Sequence, residues 1–174
     1  MDPVRIVRAG PERIDDLEPL WKSLYEHHRS VDPKIPGVAL READESWSVR
    51  RAEYAQWLAE PDAFVLIAEA EEESRAIGYA LVHYREPDDS RMTAGRFAEL
   101  ESLAVLSEVR GRGIGTALMA AVYRELRELG VGELEIGVLV TNDGARRFYE
   151  REGFRPWVVK YFGPVPESHP GESS

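Results

Sequence analysis

Val109-Arg110-Gly111-Arg112-Gly113-Ile114-Gly115 is the stretch whose reading decides the fold. Immediately before it, Phe97 to Leu106 reads as a strong strand. Immediately after it, Ile114, Leu118, Val122, Leu126 and Leu129 recur on one face of a long helix, and Gly130 supplies the stop. A strand that yields to a helix through three glycines bends tightly and leaves its N–H groups unshielded by side chains. Those groups lie at the positive end of the helix dipole and form an anion site. Arg110 and Arg112 add charge suited to phosphate oxygens, so a diphosphate is the natural ligand. The competing reading is a tight turn with surface arginines.

Other phosphate-binding patterns fit less well. A P-loop needs Lys-Ser or Lys-Thr after its last glycine, and Gly115 is followed by Thr116-Ala117. A dinucleotide fingerprint needs G-x-G-x-x-G, whereas the spacing here is G-x-G-x-G. It also wants an acid ending the next strand. Glu133 lies 20 residues after Gly113 but begins that strand.

Working outward, Val4 to Arg8 reads as a short edge strand, and Pro11 with Asp15-Asp16 opens a helix bearing Ile14, Leu17, Leu20 or Trp21, and Leu24. A loop over 31–37 leads to a second helix from about Glu45 to Ala59, stopped by Pro61. Phe64 to Ala68 and Ile77 to Tyr84 form a hairpin about the polar turn Glu71-Glu72-Glu73-Ser74. A charged loop over 86–95 precedes the strand at Phe97. Leu134 to Val140 is a further strand, expected to run parallel to it. Asn142 or Asp143 caps a short helix ending near Gly153, and Phe154 to Phe162 is expected as the last strand. The order is β-α-α-β-β-β-α-β-α-β. One domain over 1–162 and a disordered tail over 163–174 are expected.

Arg110-Gly111-Arg112-Gly113-Ile114-Gly115 resembles the R-x-x-G-x-G/A motif of the GCN5-related N-acetyltransferase superfamily, and Leu103 to Val109 looks like the strand and bulge before it. A second block, Asn142-Asp143-Gly144-Ala145-Arg146-Arg147-Phe148-Tyr149-Glu150-Arg151-Glu152-Gly153-Phe154, resembles the family's N-x-x-A-x-x-F/L-Y-x-x-x-G-F signature. The resemblance is specific from about residue 63 to 162 and weak before it. It implies a mixed α+β acyltransferase fold, with a mixed sheet of six to seven strands flanked by about four helices.

The same resemblance implies acetyl-CoA as co-substrate. Its pyrophosphate would lie on the amides of Arg110 to Gly115, with Thr116 next along, and its pantetheine arm along the backbone of Leu103, Ala104 and Val105. Asn142 would contact the arm, with Ala145 and Phe148 on the same short helix; a helix cap is the compatible plain role for Asn142. The Tyr149 hydroxyl would protonate the departing thiolate, unless the ring is simply core with Phe148. Glu99 and Glu101 alternate on their strand, so both carboxylates face one side, the side leading toward Val105. By resemblance one of them is a general base acting through water; the alternatives are binding a cationic acceptor or facing solvent. The implied activity is direct acetyl transfer to an amine, a small molecule or a protein group. The rival is a non-catalytic acyl-CoA sensor, and a structural protein is a third possibility.

Bulk properties set the remaining bounds. The chain is 43% hydrophobic and 31% charged, with net charge −10 and no cysteine. No disulfide, thiolate metal site or Cys nucleophile is available. An acidic chain suits a cationic acceptor or plain solubility better than nucleic acid or an anionic membrane. Short apolar runs and the absence of an apolar N-terminal segment point to a cytoplasmic protein with no membrane span. No metal is expected: His27 and His28 are adjacent and diverge on a helix, and His83 reads as isolated. Trp47, Tyr54 and Trp57 read as core or subunit contact, and Trp157-Val158-Val159 as a candidate homodimer contact.

Overall fold

The computed structural model describes residues 4–70, 74–86 and 96–165. The turn expected at Glu71 to Glu73, most of the loop at 86–95 and the tail beyond 165 lie outside them. In chain order the elements are β1 (Val4–Ala9), a 3-10 turn (Pro11–Leu17), α1 (Glu18–Ser30), α2 (Ala43–Trp57), β2 (Phe64–Ala70), β3 (Arg75–Arg85), β4 (Phe97–Val105), α3 (Ile114–Glu128), β5 (Leu134–Ile136) and α4 (Asp143–Arg151), with a short 3-10 turn at Ser107–Val109. The sheet runs β1-β2-β3-β4-β5, antiparallel except for the parallel β4–β5 pair.

The sheet is covered on both faces. Leu66, Val82 and Leu100 point to the face packed by Leu118, Met119 and Val122 of α3, with Phe148, Tyr149 and Phe154 at its margin. Val65, Ile67, Tyr79 and Leu81 point to the other face, under Leu17, Leu20 and Trp21 and under Trp47 and Tyr54 of α2. On that face a buried chain of hydroxyls joins helix to sheet: Tyr54 Oη lies 2.9 Å from Tyr79 Oη and 2.7 Å from Ser102 Oγ. It satisfies three polar groups that would otherwise be costly to bury.

Two expectations are corrected. The described sheet has five strands, fewer than six to seven. The missing strand is 154–162, which belongs to none of the described strands, and its Val158, Val159 and Phe162 retain 63%, 64% and 71% of their surface. The strand expected at Leu134 to Val140 stops at Ile136. One feature accounts for both. Val82 pairs with Leu100 and Leu81 with Ser102, so Glu101 is the extra residue of a β-bulge. The last β4–β5 pair is Leu100 with Ile136, directly before that bulge. Beyond it β4 keeps its pairing with β3 through Val105 but has no partner in β5, and an edge of three residues offers little for a further strand.

Helix ends follow the local chemistry. The Asn142 side chain caps α4 by accepting a hydrogen bond from the Ala145 N–H at 3.2 Å. At the other end Gly153, at φ +99°, lets the Phe154 N–H reach the Tyr149 carbonyl at 3.0 Å. The "G-F" of the second block is thus a helix stop that turns Phe154 back onto Tyr149, with ring centroids 6.0 Å apart.

Candidate active site

The glycine turn has the geometry that its sequence demands. Gly111 and Gly113 stand at φ +76° and +80°, which L side chains rarely adopt. Gly113 is the N-cap of α3, and no side chain caps that helix. The orphan N–H groups of its first turn therefore remain open to a ligand. Nothing lies within 4 Å of where a Cβ on Gly111 or Gly113 would stand, while one on Gly115 would stand 3.5 Å from the Phe148 ring. The arginines are turned back toward the chain: Arg110 Nε donates to the Val105 carbonyl at 2.9 Å, and an Arg112 guanidinium nitrogen lies 3.4 Å from the Glu108 carbonyl. Arg110 so braces the end of β4. The Thr116 hydroxyl lies 3.3 Å from Glu152, and Ile114 is buried core.

Between that turn and the bulge, β4 is paired on one side only. Leu103, Ala104 and Val105 are in register with Ala80, Tyr79 and Gly78 of β3. On the opposite edge β5 has already ended. Beyond β5 the chain meets α1 and its C-cap residue. Thr141 Oγ1 donates to the Val31 carbonyl, and His27 Nε2 lies 3.4 Å from Asn142 Oδ1. Asn142 is 5% exposed, so its cap and its histidine contact are internal.

Glu99 and Glu101 do face one side, although simple alternation misplaces the residues beyond them. The bulge shifts the phase, so that Leu103 and Val105 pack on the α3 face while Ala104 joins the α1/α2 core. The two carboxylates lie on the α1/α2 side, opposite to Val105, where Arg50 of α2 pairs with Glu101 and Arg85 of β3 lies 3.2 Å from Glu99. Burial raises the Glu101 carboxyl, but His83 and Arg50 outweigh it and hold the group below its usual value.

His83 is not isolated. It is the cross-strand partner of Glu99, is 5% exposed, and stacks on Trp57 with centroids 4.3 Å apart and planes 5° apart. Its Nε2 lies 3.6 Å from Glu99 Oε2 and 3.4 Å from Glu101 Oε2, yet forms no aligned hydrogen bond. Sequence reasoning missed this residue because the β3–β4 register depends on a long connection that cannot be counted across. The His27 and His28 rings lie 6.3 Å apart, tilted by 44°; burial, with His27 and Arg50 nearby, lowers the His28 ring.

Tyr149 lies on the other face of the sheet, among the residues packed against α3. Its ring meets Phe148 edge-on at 5.2 Å. Burial, assisted by the nearby Tyr123, pushes the phenol well above its ordinary value, so it is protonated at neutral pH. An acid pair on one face, a phenol on the other and an open strand edge between them can serve a reaction that delivers one group and releases another through a slot in the sheet.

A sequence model of the acetyltransferase (GNAT) family matches residues 21–154. The chain belongs to this family. Among curated relatives, it is 25% identical over 153 residues to the mycothiol acetyltransferase of Kocuria rhizophila, covering 88% of this chain and 47% of that one. It is 40% identical over 67 residues to the aminoglycoside 2'-N-acetyltransferase of Mycolicibacterium fortuitum, covering 38% of this chain and 32% of that protein. The chain thus spans between about a third and a half of the length of these relatives. The fold is shared with a GCN5-related N-acetyltransferase from Ralstonia eutropha, at TM-score 0.72 and 18% identity over 94% of this chain and 99% of that one. It is also shared with aminoglycoside N-acetyltransferase AAC(6')-Iy in complex with CoA, at TM-score 0.68 and 20% identity over 94% and 95% of the two chains. No helix among the described residues is long and apolar enough to cross a membrane.

Proposed function

We propose that this chain transfers an acetyl group from acetyl-CoA directly to a primary amine, with a small molecule as acceptor. The observation that carries the reading is the one-sided edge of β4 over 101–105, running from the acid pair to the uncapped N-terminus of α3. An extended pantetheine arm would pair with that edge through Leu103, Ala104 and Val105, and the pyrophosphate would lie on the amides of Arg110 to Gly115. The first-turn neighbours Ile114 and Thr116 and the cap residues Asn142, Ala145 and Phe148 would border the cofactor. The Phe148 ring stands 3.5 Å from where a Cβ on Gly115 would lie, so α4 lies beside the glycine turn.

In this reading the amine approaches from the α1/α2 face. Glu99 and Glu101 hold it as an ammonium and take two protons in turn through water, one before attack and one from the nitrogen of the adduct. Nitrogen attacks the thioester carbon, and N–H groups near Val105 receive the developing oxyanion. As the C–S bond breaks, Tyr149 donates its proton to sulfur from the opposite face, and the phenolate regains a proton from solvent before the next turnover. The same burial that keeps the phenol protonated makes it a weak acid, so its contribution is tens-fold at most. Acetyl transfer measured over a panel of amines should fall about tenfold in Tyr149→Phe, below the roughly 10²–10⁴-fold of a well-matched general acid; unchanged turnover in that variant would remove the phenol from the mechanism. We also assign the chain to the cytoplasm, which suits a sequence free of cysteine, and assign the exposed apolar run at Val158, Val159 and Phe162 to a homodimer contact. A sedimentation mass of one chain at micromolar concentration would refute the latter.

A further inference from the structure

We propose that His83, Glu99 and Glu101 form a binding site for one transition-metal dication, Zn2+ by its ligand chemistry. Their candidate ligand atoms all lie within 4.8 Å of one another. Zn–N and Zn–O bonds of about 2.0–2.2 Å place tetrahedral ligand atoms roughly 3.3–3.5 Å apart. Nε2 of His83 lies 3.4 Å from Glu101 Oε2 and 3.6 Å from Glu99 Oε2, so two of the three separations are already near that spacing, and the two carboxylates lie within 4.8 Å of each other. Acidic side chains alone would mean little. The independent observation is the imidazole: it is 5% exposed, pinned flat on Trp57, and directs an Nε2 with no hydrogen-bond partner into the carboxylates. A buried nitrogen whose contacts are unaligned is poorly satisfied, and a metal bond would satisfy it. One imidazole with two carboxylates is a ligand set for a borderline ion and leaves a fourth position open.

The surrounding arginines decide how the ion would be accommodated. Arg50 binds Glu101 through Oε1, leaving Oε2 free for the metal, and so becomes an outer partner of a ligating carboxylate. Arg85 competes directly, because it lies on Glu99 Oε2. Its side chain is 48% exposed, so it can swing into water. With the ion bound, its two charges neutralise the two carboxylates, the task that Arg50 and Arg85 share in its absence. The site overlaps the carboxylates proposed above to receive the amine. Bound metal should therefore block acetyl transfer in competition with the acceptor.

The test uses tag-free full-length chain, Zn2+ titrated by calorimetry, and Co2+ as a visible-absorbing probe of tetrahedral geometry, with no acyl donor or amine present. Uptake of one equivalent is expected. His83→Ala should weaken it on the order of 100-fold, at or beyond the loss seen for outer-shell partners. Arg85→Ala, an exposed change that leaves the ligands in place, should tighten it about two- to fivefold, the worth of an exposed ion pair. No stoichiometric uptake, equal affinity in His83→Ala, or no tightening in Arg85→Ala overturns the assignment. These are binding readouts, so failure of the metal site and failure of the acetyl-transfer reading would be seen separately.

Discussion

Replacing Gly113 by Ala isolates the backbone cost of the phosphate turn. At Gly113 φ is +80°, and no atom lies within 4 Å of the new methyl, so no clash contributes. What remains is the left-handed conformation itself, about 1–2 kcal/mol for an L residue. For a chain of this size each kcal/mol moves the melting temperature by about 2–4 °C, which gives a drop of roughly 2–8 °C. Gly115→Ala provides the contrast two residues on. Its φ is ordinary, and its methyl would meet the Phe148 ring at 3.5 and 3.6 Å, a normal contact. Alanine is better than glycine in a helix by up to ~1 kcal/mol, so the melting temperature should hold or rise. Calorimetric CoA titration completes the experiment. Strain released by moving the turn should cost Gly113→Ala about tenfold in affinity, the worth of one charge-assisted hydrogen bond. Thermal melts by circular dichroism decide the first part. If Gly113→Ala melts with the wild type, or Gly115→Ala loses more than Gly113→Ala, the strain argument is wrong.

Gly78→Ala should destabilise the sheet by about 1–3 kcal/mol, the range for overpacking, because its Cβ would stand 2.9 Å from the Ala104 carbonyl oxygen and 3.3 Å from Val105 Cγ2. The displaced β4 edge should also raise the KM for acetyl-CoA. Asn142→Ala removes the α4 cap and should cost about 1 kcal/mol in urea unfolding; a loss of CoA affinity beyond that of other equally destabilised variants would add a direct cofactor contact. Glu69 gives a pH signature. Burial raises its carboxyl, but Arg13 at 2.5 Å and Arg5 at 2.8 Å outweigh this and hold it below the ordinary value. Its stabilisation is complete above the unfolded value of about 4.3 and is lost as pH falls through the lower folded value. The stability gap between wild type and Glu69→Gln should be constant near neutrality and close below about pH 4; a gap that persists at pH 2 would count against the ion pair.

What is legible in the sequence is what local chemistry decides. Glycines at 111 and 113 announce positive φ, Asn142 announces a cap, Gly153 a stop, and the apolar spacing of α3 fixes its buried face. The match of two motif blocks then carries the family. What escapes depends on pairing across distance. Trp157-Val158-Val159 has strand composition, but a strand needs an edge, and β5 supplies too short a one once Glu101 bulges. His83 has no neighbouring residue that marks it; its environment is made by Glu99 and Glu101 from β4 and by Trp57 from α2. The sequence places the bulge within Leu103 to Val109, and it lies two residues before that segment, which is enough to send Val105 to the face opposite the acids.

That displaced residue gives β4 a reading frame. Upstream of Glu101 the odd-numbered positions serve the acceptor side, and downstream they serve the α3 side, so one strand supplies two surfaces of opposite character. Loss or gain of a single residue here would not shorten or lengthen the strand so much as exchange its halves, exporting Leu103 and Val105 to the acidic side and drawing Ala104 beneath α3. For β4, length is as much a quantity to be inherited as the side chains of Glu99, Glu101 and Ser102.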